Sequence, residues 1–355
     1  MPNPFVTILI DTYNHQSFIE DAINSVLQQD FPPKETEILV VDDGSTDKTS
    51  ELVRRFEPRV RLIHKINGGQ ASAFNAGIPE ARGEIVVFLD GDDWWAPDKL
   101  TAVAEAFAAD TDIGLVGHGV TEVYADGRQR TEVLRQICRF RITSIEEART
   151  FRMRRGFLGT SRMAYRRETL SRIGFVPESL KFEADEYLFT LAGLFADVVI
   201  LPKSFTFYRI HDKNLFQITS GDITAIRRKQ QVLAALAQAL RDKLNQCGVP
   251  IEIATTICEC VKVEADLLRL ELDSGFPWET VSTELRIMRV FHSDASIWQR
   301  LFSLARLIPA ALLPASTYYR WRRRLSSLRT YQSLRQRLLP FPHPNHVERR
   351  EKLAP

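Results

Sequence analysis

The stretch Gly83 to Trp95, GEIVVFLDGDDWW, constrains this chain more than any other. Ile85 to Leu89 is an unbroken apolar run, long enough for a strand buried on both faces. It ends in three carboxylates, Asp90, Asp92 and Asp93, with Gly91 between the first two. Acids gathered at the end of a buried strand repel one another. Something must compensate them: solvent, a base, or a hard divalent cation with oxygen ligands. In open α/β sheets, ligands bind beyond the carboxyl ends of the strands. Asp90 and Asp92 therefore stand where a metal-bound phosphate ligand is expected, and the plain alternative is a solvated acidic turn.

The flanking sequence supplies the rest of such a sheet. Phe5 to Ile10, Glu37 to Val41 and Val60 to His64 read as further strands. A helix is expected from Ser17 to Gln29, with Phe18, Ala22, Val26 and Leu27 on one face and Ser17 as its cap. Others are expected from Asp47 to Phe56, from Gln70 to Ala81, and after Pro97. Strands alternating with helices over the first hundred residues imply parallel βαβ units. After Asp110 the pattern turns mixed. Strands are expected at Gly114–His118, Thr121–Tyr124, Thr160–Tyr165, Val198–Leu201 and Phe205–Arg209, with a hairpin turn at Asp126-Gly127. Arg139 to Arg155 reads as a polar, basic segment, mobile or on the acceptor side. From Asp222 onward helical periodicity dominates. At 355 residues the chain exceeds the usual single-domain size, and a boundary is expected near Ser220-Gly221.

Residues 40–47, VVDDGSTD, repeat the logic of the opening stretch: a strand ends in two acids and a turn follows. A carboxylate such as Asp43 suits the imide N–H of a uracil ring, whereas Asp42 reads as a turn acid and Asp47 as a helix cap. With Thr12-Tyr13-Asn14, Asn67-Gly68-Gly69, Asn75-Ala76-Gly77, FLDGDD at 88–93, Pro97, Lys99-Leu100, Asp185 with Leu188, and Tyr208-Arg209-x-His211, these pieces resemble, in order and spacing, a family 2 glycosyltransferase of the GT-A fold. The resemblance covers about the first 210 residues.

That resemblance implies an α/β, Rossmann-like, mostly parallel sheet that binds a nucleoside-diphosphate sugar, most simply a UDP-sugar. It implies inverting transfer of a hexosyl or N-acetylhexosaminyl group to an acceptor hydroxyl. Asp43 is similar to the family's uracil-contacting acid, with Thr12 and Asn14 lining the nucleoside pocket. Asp92 corresponds to the D-x-D acid that holds Mg²⁺ or Mn²⁺ against the diphosphate, and Asp90 to the acid near the ribose. A cation there is the direct way to stabilise charge on a leaving phosphate. Gly69 is placed for close backbone approach to the ligand or for a simple turn. Arg209 and His211 are expected to face the diphosphate, His211 as a metal ligand or phosphate contact. The base that deprotonates the acceptor is expected at Asp185, in Phe182-Glu183-Ala184-Asp185-Glu186, with Glu183 as the alternative because Ala184 stands where the family often has Glu. Asp11 stands where the family often has Pro. Trp94 and Trp95 are candidates to line a sugar pocket or to pack in the core.

Charge divides the chain unevenly. The formal net charge is +2, yet from Arg300 to the end twelve Arg and Lys face only Glu348 and Glu351. Leu301 to Leu313 is apolar with one Arg, and Tyr318-Tyr319-Arg320-Trp321-Arg322-Arg323-Arg324 follows. Apolar anchors, interfacial aromatics and an arginine cluster suit a helix lying on an anionic membrane surface, the alternative being a helix docked on the protein. No recognition module accompanies the charge, so nucleic acid is not expected as a partner. Four cysteines make no metal or disulfide pattern, and no run is long enough to span a bilayer. The expected organisation is a catalytic domain at 1–220, a helical extension at 221–300 and a basic amphipathic tail at 301–355. The expected place is the cytoplasm, peripheral on the inner face of the cell membrane, with a carbohydrate or lipid-linked acceptor. A sugar-phosphate nucleotidylyltransferase would need a Gly-rich basic loop where Asp11-Thr12-Tyr13-Asn14 stands. A non-catalytic nucleotide-sugar-binding scaffold is the remaining rival.

Overall fold

A computed structural model describes residues 5–154, 159–211, 214, 223–272, 275–291, 301, 304–327 and 347–352. The chain divides into two compact units: residues 1–143, 154–215 and 344–355 form one, and residues 144–153 and 216–343 the other.

The first unit is built on one sheet. Its parallel half comprises β1 (Val6–Thr12), β2 (Thr36–Asp42), β3 (Val60–His64) and β4 (Ile85–Asp90), in the order β3-β2-β1-β4. Residues Ile85 to Leu89 are at most 1% exposed, as a strand covered on both faces requires. On one face the strands pack against α1 (Ile19–Leu27), α2 (Thr49–Arg54) and α4 (Lys99–Ala109) through Ile8, Ile10, Val40, Val87, Ile23, Val53 and Phe107. On the other, Phe88 meets Phe74 of α3 (Gln70–Gly77) edge-on at 5.0 Å. The register pairs Asp11 with Asp90 and Thr12 with Asp42, so the acids of three neighbouring strands end at one level.

The second half of this sheet is mixed. After β5 (Trp94–Trp95) come β6 (Ile113–Tyr124), β7 (Gln129–Leu134), β8 (Cys138–Phe140), β9 (Met163–Arg166) and β10 (Asp197–Ile210). β9 lies antiparallel between β4 and β6, and β10 runs parallel to β6. Two expected strand pairs merge here. Gly114–His118 and Thr121–Tyr124 are one continuous β6, and Val198–Leu201 and Phe205–Arg209 are one β10 that absorbs a bulge between Leu201 and Ser204. The hairpin turn at Asp126-Gly127 forms, with Gly127 at φ 82°. Residues Thr160 to Arg162 make a 3₁₀ turn rather than the start of a strand. The helix α1 starts after Phe18, and Ser17 is not its cap: the carbonyl of His15 accepts from the N–H groups of both Phe18 and Ile19 and closes the turn from the main chain. Helices α6 (Arg167–Ile173) and α7 (Ala184–Phe195) complete this unit. Its outer edge is β11 (Val347–Lys352), antiparallel to β7. The end of the stretch read as a basic tail is therefore a strand of the sheet, recruited by the open hydrogen-bonding edge of β7.

The second unit is helical. It contains α5 (Ile145–Arg154), α8 (Ile223–Gln246), α9 (Ile251–Leu272), α10 (Pro277–Phe291), α11 (Leu307–Leu312) and α12 (Ala315–Ser327). Within the segment read as mobile or on the acceptor side, Arg139 to Arg155, lie the end of β8 and all of α5, whose Ala148 and Phe151 are buried. Leu233, Leu236, Leu240 and Leu244 line the inner face of α8. Tyr318 and Tyr319 are core residues with Leu270, Ala310 and Ala315, not interfacial aromatics. Arg322 binds the buried carboxylate of Glu284, and Arg306 stands 3.9 Å from it. Among the described residues no helix is long and apolar enough to cross a membrane. None of the four cysteines forms a disulfide. Ser220-Gly221 and Arg300, Arg329, Arg335 and Arg337 lie outside the described residues.

Candidate active site

The ends of β1 and β2 form a tightly bonded platform. Asn14, at φ 57°, accepts through Oδ1 from the N–H of Thr46 (2.8 Å), and its own N–H donates to Ser45 Oγ (2.9 Å). Asp42 accepts from the Ser45 N–H at 2.9 Å and binds Ser50 and His64. Asp47 receives the N–H groups of Thr49 and Gln16, so it ties the start of α2 to the loop after β1. Asp43 is 4% exposed. Its carboxylate accepts from Lys65 Nζ at 2.7 Å, from the N–H of Gly68 at 3.0 and 3.1 Å, and from the N–H of Gly69 at 2.7 Å. Three donors thus engage this carboxylate, the Gly68 N–H being shared between its two oxygens. Gly69, at φ 86°, would place a Cβ 2.9 Å from the Cα of Lys181, so its bareness admits the chain's own backbone at Lys181.

The end of β4 is different. Asp90, Asp92 and Asp93 stand together, with Asp11 beside Asp90 in register. Burial, then the fields of Asp92 and Asp185, push the Asp90 carboxyl well above its ordinary range. Burial and its acidic neighbours do the same to Asp93 and Asp11. Asp11 keeps a buried Oδ1 without a hydrogen-bond partner. Burial also works against the charge on Asp92, but the hydrogen bond from His211 and the fields of His15 and His211 outweigh it and hold this acid below its ordinary value. His211 Nε2 is 3.1 Å from Asp92 Oδ2. Among the described residues no group of three or more His, Cys, Asp or Glu could by itself hold a metal ion. Two protein ligands with phosphate oxygens completing the shell is the ordinary arrangement for a cation on a diphosphate.

Ser161, which sequence reasoning did not single out, ties this acidic end together. Its hydroxyl lies 2.6 Å from Asp93 Oδ2 and 3.1 Å from Asp90 Oδ2, and accepts from the Asp90 N–H at 3.0 Å. Its carbonyl receives Lys99 Nζ (2.6 Å), Thr206 Oγ1 (2.6 Å) and Trp95 Nε1 (3.2 Å). Lys99 is fully buried, its ammonium 3.6 Å over the Trp95 ring, and desolvation holds its pKa well below the usual lysine range. Asp93 also accepts the Arg209 N–H at 3.0 Å, so it fastens β10 to the turn after β4. Arg209 gives Nε to the carbonyl of Asp92 and an amino group to Asp21, and its guanidinium lies over Trp94 at 4.5 Å and Phe18 at 4.9 Å. Trp95 packs in the core, while Trp94 stacks on Phe207 at 5.3 Å.

Asp185 lies in the first turn of α7, whose capping residue is Glu183 in a left-handed conformation at φ 61°. For a residue with a side chain that backbone is uncommon, and it turns the chain so that the helix starts at Ala184. Gln70 holds this start from α3: its Oε1 accepts from the Ala184 N–H and its Nε2 donates to Thr160 Oγ1. Asp185 accepts from the Glu186 N–H at 2.8 Å and from Thr160 Oγ1 at 3.4 Å. Burial raises its pKa to about 6. Asp185 and Asp90 feel one another's charge, so the helix acid and the strand acids share one site. Asn75 is structural, its amide bonding both the N–H and the carbonyl of Val176.

The signals for Ser161, Lys65 and Gln70 were absent from the local sequence, because each acts across a long separation on a partner set by the fold. Comparison with known proteins places this architecture. Residues 7–174 match the pattern described as glycosyl transferase family 2. An uncharacterized glycosyltransferase of Nostoc sp. is 32% identical over 253 residues, 68% of this chain and 76% of that one. The poly(ribitol-phosphate) beta-N-acetylglucosaminyltransferase TarS of Staphylococcus aureus is 36% identical over 102 residues, which are 28% of this chain and 18% of TarS. The crystal structure of TarS residues 1–349 superposes with a TM-score of 0.56 at 19% identity, covering 96% of this chain and 98% of that one. A mannosyltransferase of Pyrobaculum calidifontis, solved with GDP-Man and Mn²⁺, superposes with a TM-score of 0.52 at 20% identity, covering 94% and 84%. At those identities the structural likeness speaks for the fold. The sequence match over three quarters of the Nostoc protein goes further, and with it the chain belongs to glycosyltransferase family 2.

Proposed function

We propose that this glycosyltransferase moves a sugar from a uridine-diphosphate sugar to an acceptor hydroxyl with inversion, using Asp185 as base and Asp92 with His211 to hold Mg²⁺ or Mn²⁺. The observation that carries this reading is the opposition of two kinds of acid. At the end of β4 stands a cluster of carboxylates that repel one another, with the imidazoles of His15 and His211 close to Asp92. Facing it is Asp185, with a pKa of about 6. Asp92 and His211, 3.1 Å apart, are spaced as two ligands of one cation are. Such a cation supplies charge stabilisation at the diphosphate. Asp185 takes the proton of the acceptor hydroxyl as its oxygen closes on the anomeric carbon from the side opposite the diphosphate, and the bond from that carbon to the diphosphate oxygen breaks, so that the nucleoside diphosphate leaves with the electron pair. At that pKa Asp185 is ionised at neutral pH and still basic enough to accept. Asp90 faces the ribose, and Thr12, Asn14, Asp43 and Gly69 shape the nucleoside pocket. With its carboxylate already holding the Gly68–Gly69 turn, Asp43 acts first by fixing that turn, and it meets an imide N–H only where that bond is shared. Arg209, engaged with Asp21 and the Asp92 carbonyl, sets the height of the acidic turn under the diphosphate.

The relatives include a poly(ribitol-phosphate) N-acetylglucosaminyltransferase and a hyaluronan synthase, which supports an N-acetylhexosaminyl or hexosyl donor and a cell-surface polymer or glycolipid product. An anionic membrane at the cytoplasmic face is the proposed place of work. Leu301, Leu304, Ile308 and Leu312 are all more than 40% exposed at three- and four-residue spacing, and no acid occurs between residues 295 and 347. Tyr318 and Tyr319 take no part, being core. The decisive experiment incubates the enzyme with a panel of nucleotide sugars, Mn²⁺ and a hydroxyl acceptor, and follows nucleoside-diphosphate release. Asp185→Asn is expected to lower kcat by about 10²–10⁴-fold with nucleotide binding kept. Turnover that survives both Asp185→Asn and Asp92→Asn defeats the assignment.

A further inference from the structure

We propose that Gln70 is a positioning residue for the base, joining the nucleoside turn to Asp185 through Thr160. This rests on the reading of Asp185 given above. Gln70 is the first residue of α3 and follows the Gly68–Gly69 turn that Asp43 holds. Its main chain belongs to that turn and its side chain to the base. The main-chain N–H donates to the carbonyl of Lys181 at 3.0 Å, just before α7 begins. The side chain uses both ends of its amide. Oε1 accepts from the N–H of Ala184, the first residue of α7, at 3.1 Å, and Nε2 donates to Thr160 Oγ1 at 2.9 Å. The Thr160 hydroxyl donates in turn to Asp185 Oδ2 at 3.4 Å. Two routes thus run from α3 to one carboxylate, the first through the helix that carries it and the second through a hydroxyl.

The chemistry of the amide makes this arrangement directional. An amide accepts at one end and donates at the other. The first N–H groups of a helix have no partner within it, and Glu183 gives α7 no side-chain cap. Gln70 Oε1 supplies the acceptor for one of them, and that contact fixes which way the amide faces. Nε2 is then left for Thr160, which is 1% exposed and shielded from solvent. With a lone pair of its oxygen taken by Nε2, the Thr160 hydroxyl turns its proton toward the carboxylates. Hydrogen bonds from this hydroxyl and from the Thr160 main chain favour the ionised form of Asp185, and the hydroxyl does the same for Asp90. The other titratable groups about Asp185 are Asp90 and Asp11 at the ends of β4 and β1, Tyr165 of β9, and Glu186 of its own helix. The three acids oppose its charge. Thr160 works in the other direction, and Gln70 decides where its proton goes.

The test uses the full chain and follows UDP release against pH, at saturating donor, from the UDP-sugar of the panel that turns over. Gln70→Glu keeps an acceptor for the Ala184 N–H but draws the Thr160 proton to itself. It is expected to move the inflection of kcat upward by about one unit, the scale of one hydrogen bond to a charged group, and to lower the plateau above it by less than about threefold. Thr160→Val is expected to give a similar shift, and Gln70→Glu to add little to it in that background. Gln70→Met fills the same space, loses both bonds and leaves the Thr160 proton to Asp185. It is expected to lower the plateau about tenfold with the inflection unmoved, and to keep UDP affinity, titrated with Mn²⁺, within about twofold. An inflection that Gln70→Glu leaves in place overturns the proposal and spares Asp185 as base. So do shifts that add fully in the double variant, as a bare charge effect would give. A wild-type rate without an inflection near 6, or no turnover with any UDP-sugar, overturns the base assignment and this proposal with it. If Gln70→Glu does not fold, Gln70→Met decides: an unchanged plateau, or a loss confined to UDP binding, overturns the proposal.

Discussion

Two strands of the parallel half end in paired acids, and the structure treats them in opposite ways. At the end of β2, Asp42 and Asp43 are matched within the protein: Asp42 by Ser45, Ser50 and His64, Asp43 by Lys65 and two glycine N–H groups. At the end of β4, Asp90 and Asp93 have a serine hydroxyl between them, and Asp11 adds a third buried carboxyl with an unpartnered oxygen. Desolvation and mutual repulsion raise all three. A buried acid that its own chain satisfies holds the fold together. A cluster that the chain leaves in excess is a site prepared for an external positive charge.

The largest test of this contrast is in turnover. Asp92→Asn is expected to reduce transfer by about 10³-fold or more, since it removes the carboxylate on which both imidazoles converge. Asp43→Asn is expected to act mainly on the donor KM, with kcat changed by less than about tenfold, because its bonds hold a turn rather than the reacting atoms. Steady-state kinetics with varied donor separates the two. Equal losses of kcat in both variants would erase the distinction between the strand ends.

A smaller effect is read in pH. The base must be ionised to accept a proton, and burial places Asp185 at about 6. The rate at saturating donor is therefore expected to be flat above about pH 7 and to fall about tenfold per unit below about pH 6. Thr160→Val removes a hydroxyl that donates to the ionised carboxylate at 3.4 Å, so it is expected to move that inflection upward. An inflection near the ordinary carboxylate value would place the base elsewhere, with Glu183 next to be examined.

What the sequence made legible follows from range. The buried run at Ile85–Leu89, the turns after β2 and β4, and the helix carrying Asp185 are local patterns, and each is where the pattern places it. The family assignment and the α/β fold came from the order of such patterns. The second half of the sheet was harder. β8 is three residues long, β9 enters between β4 and β6 from a distance, and β11 returns from the far end of the chain to pair with β7. No local period reports a pairing over such separations. For the same reason Ser161 was invisible, although its hydroxyl and carbonyl together engage Asp90, Asp93, Trp95, Lys99 and Thr206. Tyr318 and Tyr319 misled in the other direction: aromatics beside arginines suit a membrane surface, but here they fill a core beside Leu270. Composition does not distinguish these two fates of an amphipathic helix.

The smallest effect gives the sharpest contrast, because it has a sign. Removing Asp43's charge by Asp43→Asn leaves Lys65, 22% exposed, without its carboxylate and gives the Gly68 and Gly69 N–H groups a weaker acceptor. The expected cost is about 2–3 kcal/mol, kept toward the low end by the exposure of Lys65. Asp90→Asn should do the reverse. The amide keeps a carbonyl for the Ser161 hydroxyl 3.1 Å away and removes a charge that Asp11, Asp92 and Asp93 oppose. Without divalent cation it is expected to stabilise the protein by about 1 kcal/mol, a common gain where a charge kept for activity is removed. Urea unfolding in a chelating buffer at neutral pH measures both. With Mn²⁺ and UDP added, the wild type should gain stability in proportion to the logarithm of ligand concentration. Asp90→Asn, binding more weakly, should gain less, so that its advantage shrinks or reverses. A variant that is less stable than the wild type under chelation would mean that the acids of β4 are compensated within the chain after all, as those of β2 are.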